Sequence, residues 1–141
     1  MKAPGEYPEQ GRISTTTHDL PTLAGFFVGR DIEARKSAGL LTEADHQEQW
    51  AARHEDIRRI EESLSPAGFA ADPLVFLLST PCPLAIVDRG DLTGEPNQQN
   101  LPATTWQYPN WSRKMRVTIE TLGPVAEELR RRIKDSRRSA T

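Results

Sequence analysis

The sequence predicts an α/β chain: two short parallel strands joined by a helical crossover, with mostly helical structure beyond them. Three observations lead there. A β-prone, threonine-rich stretch runs from Arg12 to Thr17, and a four-residue apolar run, Leu84 to Val87, lies far downstream. Between them apolar residues recur at three- and four-residue spacing, the period of a helix. Strands separated by a helical crossover pair in parallel. Two strands do not make a stable sheet alone, so the pattern reads as part of a larger one.

Each element follows from local chemistry. Met1 to Gly11 holds prolines and glycines without periodicity and is expected to be extended. The first strand, Arg12 to Thr17, should end at His18-Asp19. Pro21 suits a first helical turn, where its fixed φ fits and its missing N–H is not needed. Leu23 to Val28 is a compact apolar patch, Asp31 to Ala38 reads as a helix, and Gly39 ends it. The longest helix runs from Thr42 to Leu64, about 34 Å at roughly 1.5 Å per residue. Thr42 with Asp45 makes a capping box with Asp in the Glu position. Trp50, His54, Ile57, Ile60 and Leu64 form its apolar stripe, with Arg53 among the charges off that stripe. Pro66 and Gly68 stop it. Asp72-Pro73 starts a short helix, Leu74 to Ser79, which Pro81 and Pro83 break. Leu84 to Val87 is short enough for a buried strand. Asp88 to Pro109 is a long polar segment, of a length that compact domains rarely keep without a function. Trp111 to Leu122 reads as a helix broken by Gly123-Pro124, and Val125 to Asp135 as a last amphipathic helix.

Composition removes several functional classes. The chain has 141 residues, enough for one domain, but is polar, with 36% hydrophobic and 27% charged residues. That fits a modest core or a piece of a larger one. A net charge of −2 gives no field for nucleic acid or an anionic membrane. No apolar run approaches the roughly 20 residues of a membrane span. The start of the chain lacks a signal-peptide pattern, so a cytoplasmic location is expected. Cys82, the single cysteine, can form neither an internal disulfide nor a cysteine metal cluster. His18, His46 and His54 do not fall at a zinc spacing. The basic residues from Arg130 to Arg138 fit a solvated helix end that complements the helix dipole.

Polar residues that could do chemistry cluster after the two strands. His18 and Asp19 end the first strand, where a carboxylate beside an imidazole could bind a polar substrate or stabilise positive charge. On these residues alone, Asp19 reads first as a helix N-cap beside a satisfied histidine. Asp88 and Asp91 read as turn residues beside Gly90. Asn100, in Asn-Leu-Pro-Ala-Thr, both donates and accepts and so suits hydroxyl recognition. Trp106, Tyr108 and Trp111 could face sugar rings or fill a core.

Three separated stretches, in order, resemble the amylomaltase family of 4-α-glucanotransferases. They are Ser14 to Phe27 with Thr17-His18-Asp19-Leu20-Pro21-Thr22 and Gly29-Arg30-Asp31; Asp91-Leu92 with Asn100-Leu101-Pro102-Ala103-Thr104; and Pro109 to Lys114. The resemblance implies the C-terminal segment of a (β/α)8 barrel, from about the seventh βα unit. Residues 12–135 would belong to that barrel, after an N-terminal segment of residues 1–11 and before a basic tail of residues 136–141. It implies transfer of α-1,4-glucan segments between maltooligosaccharides with retention, which takes two displacements through a covalent intermediate. Asp19 would be the transition-state stabiliser, and His18 and Asn100 substrate contacts. The nucleophile and acid/base carboxyls would come from earlier strands that this chain does not contain, so it should be inactive alone. No cofactor is implied. The expected partners are the glucan and the N-terminal barrel portion. Two departures stand out: Ala103 where the family usually has glycine, and Ser112 where it usually has a basic residue. Alternative readings are a non-catalytic helical binding module or the remnant of a truncated reading frame.

Overall fold

The computed structural model describes residues 3–65 and 72–139, with the side chains of the last helix described as far as residue 135. Two strands, β1 (Arg12–Ser14) and β2 (Leu84–Ile86), pair in parallel with Ile13 opposite Ala85. The crossover consists of helices α1 (Leu23–Phe27), α2 (Arg30–Ser37), α3 (Glu43–Leu64) and α4 (Pro73–Leu78); α5 (Arg89–Thr93) and α6 (Leu122–Ser139) come after β2. The parallel pairing and helical crossover agree with the sequence pattern.

The strands themselves depart from it. β1 stops at Ser14, not at His18-Asp19, because hydroxyls compete for the backbone. Ser14 Oγ donates to the Thr16 carbonyl and Thr16 Oγ1 to the Pro21 carbonyl, which bends the threonine run out of the sheet. β2 is not buried: Leu84 and Ile86 are each about half exposed. A sheet of two strands covers little of its own faces.

The core sits among the helices. Leu64 of α3, Leu74, Val75 and Phe76 of α4 and Leu129 of α6 form it. α4 is nearly all apolar, and Asp72 starts it by accepting hydrogen bonds from the Leu74 and Val75 amides. Tyr7 packs edge-on against Phe76 at 6.2 Å, so the N-terminal segment is docked, and it contains a 3-10 turn at Pro4–Glu6. α3 begins with the expected Thr42–Asp45 capping box. Pro66 and Gly68, expected to stop it, lie outside the described residues. Gly39 ends α2 with φ of 76°.

Two helical expectations fail for physical reasons. Trp111 to Leu122 is not a helix; it is turn and irregular chain apart from a 3-10 turn at Ile119–Thr121. Trp111 takes a left-handed φ of 57°, incompatible with a right-handed helix starting there, and its N–H is held on the Gln99 carbonyl. Pro124 does not break a helix but sits in the first turn of α6, where no N–H partner is lost.

On α3, Arg53 is buried and His54 is exposed, the reverse of the apolar stripe. The Arg53 guanidinium makes a bidentate pair with Asp31 of α2, both contacts at 2.9 Å. It also donates to the Phe26 carbonyl at 2.7 Å and stacks over the Phe26 ring at 3.9 Å. Arg35 adds a third contact to Asp31 at 2.7 Å. Burial by itself would raise the Asp31 pKa, but the hydrogen bonds and charge of Arg53, with the charge of Arg35, hold it below the usual carboxylate range. One guanidinium thus joins α1, α2 and α3. Beside it Gly29 takes φ of 64°, and a Cβ there would fall 2.1 Å from the Trp50 ring, so only glycine lets α3 approach.

Arg53→Met leaves Asp31 buried without its main partner and should lower unfolding free energy in urea by about 3 kcal/mol. The folded Asp31 pKa lies below the unfolded value of about 3.9. Its contribution is therefore complete above that value and lost as pH falls through the folded one. The extra loss of stability on acidification should shrink in the variant.

Candidate functional site

The segments after the two strands are tied to each other before they reach the site. Thr22 caps α1 by accepting from the Gly25 amide at 3.0 Å, and its hydroxyl donates to the Glu95 carbonyl at 2.5 Å. Asp91, from α5, accepts the Leu23 amide on Oδ1 at 2.6 Å. Asp88 caps α5 through the Gly90 amide at 2.6 Å. Asp91 is buried, and its Oδ2 has no hydrogen-bond partner of ordinary geometry. Burial pushes its pKa up, against the opposing effect of the Thr15 hydroxyl and the Leu23 amide; the Asp88 charge adds to the rise. Asp91 is therefore more than a turn residue: it holds the first helical turn after the first strand.

Because Thr22 performs the capping, Asp19 does not. Its carboxylate is half exposed in a turn closed by the Leu20 amide on the Thr17 carbonyl. Asn100 Nδ2 donates to Asp19 Oδ1 at 2.7 Å, and the Asn100 amide donates to the His18 carbonyl at 3.2 Å. His18 Nε2 lies 3.1 Å from Asp19 Oδ2. The three residues singled out in sequence, His18, Asp19 and Asn100, are thus in direct contact across 81 positions of chain.

The polar segment after β2 is folded by its own amides. Gln98 is buried; its Nε2 donates to the Asn100 carbonyl at 2.6 Å, and its carbonyl accepts from the Tyr108 hydroxyl at 2.9 Å. Asn110 accepts the Leu101 amide at 2.8 Å and donates to Thr104 Oγ1 at 2.9 Å. The three aromatics separate in role: Tyr108 is buried, whereas Trp106 and Trp111 are exposed. Trp111 lies against the His18 ring, 5.2 Å between centroids. A cavity of about 260 Å³ opens beside Asp19, floored by Leu20, Pro21, Leu101 and Pro102 and edged by Arg35 and Gln98. Carboxylate, guanidinium and amide around an apolar floor suit a polyhydroxylated ring with one apolar face. Among the described residues no three His, Cys, Asp or Glu side chains are grouped to hold a metal. No helix of the described residues is long and apolar enough to cross a membrane.

Sequence reasoning missed Thr22, Gln98 and Arg35. Thr22 offered a signal, a hydroxyl residue three before Gly25 at a helix start. Arg35 offered one as well, an ion-pair spacing of four residues from Asp31, whereas Gln98 offered none.

Residues 1–119 match the family model for 4-alpha-glucanotransferase, glycoside hydrolase family 77. The chain belongs to this family. It is 36% identical over 109 residues to a 4-alpha-glucanotransferase of Mycobacterium tuberculosis, covering 70% of this chain and 15% of that one. It is 26% identical over 128 residues to a 4-alpha-glucanotransferase of Haemophilus influenzae, covering 78% and 18%. The solved structure of amylomaltase from Corynebacterium glutamicum superposes with a TM-score of 0.68 at 28% identity, over 96% of this chain and 23% of that one. The chain therefore spans less than a quarter of the length of these glucanotransferase relatives.

One departure from the family motif now has a physical measure. Ala103 has φ of 65°, the left-handed region that glycine occupies freely. Ser112 closes a local turn, its hydroxyl donating to the Pro109 carbonyl at 3.0 Å. Ala103→Gly should raise the stability of the chain by about 1 kcal/mol, read as a higher urea midpoint at unchanged slope.

Proposed function

We propose that these residues form the part of a 4-alpha-glucanotransferase site that grips the sugar at the point of cleavage. The Asp19–Asn100 hydrogen bond is the observation behind this reading: it aims an exposed carboxylate that has no capping duty. Transfer of an α-1,4-glucan segment with retention passes through two transition states in which positive charge develops on the sugar ring. Asp19 stabilises that charge. His18 and Asn100 orient its two oxygens, and each offers a polar edge to sugar hydroxyls. The cavity floor takes the apolar face of the ring, so maltooligosaccharides are the substrate class. No cofactor is needed, and the working location is the cytoplasm.

The nucleophile and the acid/base, roughly 5–5.5 Å apart in a retaining site, come in this reading from another portion of a (β/α)8 barrel. β1 and β2 are then its seventh and eighth strands, and the exposed Leu84 and Ile86 are left for the rest of the barrel to cover. The short length relative to the family supports this division.

Pure 141-residue chain incubated with maltotriose should release no glucose and build no longer oligomers; a product ladder would overturn the reading. Joined to the preceding portion of a family member, the chain should transfer. In that chimaera Asp19→Asn should keep the melting temperature and lower turnover by about 10²–10³-fold. Turnover within a few-fold of the parent would remove Asp19 from the role.

A further inference from the structure

The geometry points to Trp111 as a positioning residue that fixes the His18–Asp19 pair, an inference that rests on the site reading above. Trp111 is 63% exposed, so its ring returns little by burial. Its backbone nevertheless occupies the left-handed region at φ of 57°, which costs a residue with a Cβ about 1–2 kcal/mol. Strain of this kind persists only where the surroundings over-determine it. Here the Trp111 amide is held on the Gln99 carbonyl at 3.0 Å, one residue before Asn100. Asn110, one residue earlier, anchors Leu101, one residue after Asn100. The same short turn therefore fixes the loop bearing Asn100 and delivers an indole ring to His18.

The consequence falls on the imidazole. His18 is more than half exposed, and an exposed side chain ordinarily exchanges between staggered rotamers. Trp111 packs on its ring at 5.2 Å with a 45° tilt, which restricts that exchange and leaves Nε2 facing Asp19 Oδ2. Asp19 is thus held from both sides, by Asn100 on Oδ1 and by the Trp111-backed His18 on Oδ2. Trp111 acts through His18 and need not touch substrate.

The test uses the intact 141-residue chain without substrate. Trp111→Gly suits φ of 57° better than tryptophan, so the fold should survive and the melting temperature should be unchanged or higher. NMR three-bond couplings of His18 should then change from those of one staggered rotamer to averaged values. Trp111→Phe keeps a ring at the contact and should retain the single-rotamer couplings. A single His18 rotamer in Trp111→Gly, or averaged couplings already in the parent chain, would overturn the proposal. Should Trp111→Gly unfold, Trp111→Ala, which removes the ring and keeps a Cβ, gives the same reading by the same couplings. Because no sugar is present, failure of the glucan reading leaves this outcome intact.

Discussion

Two hydrogen bonds between residues far apart in sequence hold the site together. The Thr22 hydroxyl on the Glu95 carbonyl and the Leu23 amide on Asp91 connect the chain beyond β1 to the chain beyond β2. Both lie at the start of α1: Thr22 also caps it by accepting from the Gly25 amide, and Leu23 is its first residue, whose amide has no partner within the helix. With those ends joined, the His18-Asp19 turn and the Asn100 loop meet. The Asn100 bonds to Asp19 and to the His18 carbonyl then close the connection at the site itself. The buried oxygen of Asp91 shows how far this position is given to the connection: the carboxyl is kept from water, and its proton affinity rises as a result.

Helices were legible where the signal was local. The capping box at Thr42, the Asp72-Pro73 start and the αL glycine at residue 39 are decided within four residues of sequence, and each appears as expected. Arg53 was not legible. Its place on the helix put it among the charges, and only Asp31 and Phe26, which come from other helices, bring it inside. The Trp111 to Leu122 stretch failed for a similar reason: its spacing is helical, but Trp111, tied to Gln99 across the loop, takes a left-handed φ. Threonine hydroxyls shortened β1, a competition that strand propensity does not register.

The candidate site was legible through motif resemblance more than through spacing. Asp19 alone was ambiguous between cap and carboxylate at work, and the observed cap on Thr22 removes the first of these readings. Contact between Asn100 and Asp19 joins two of the three matching stretches in space. The third stretch, Pro109 to Lys114, enters through Asn110 and Trp111, which support the loop from behind. Tyr108 turned out to belong to the core, its hydroxyl spent on Gln98.

The small size of the sheet has its own consequence. Three residues per strand supply few ladder bonds, and neither strand is shielded from water. The packed helices around Phe76 then carry the apolar core, while the exposed turn bearing Asp19 is a rim beside it, fastened by side-chain bonds to the Asn100 loop. Elements with few buried contacts open at lower free energy than the core they border. The molecule is therefore graded: a packed helical body, and an exposed margin expected to open at lower free energy. Any neighbour that packs on β1 and β2 would add order at that margin first, where the polar residues converge.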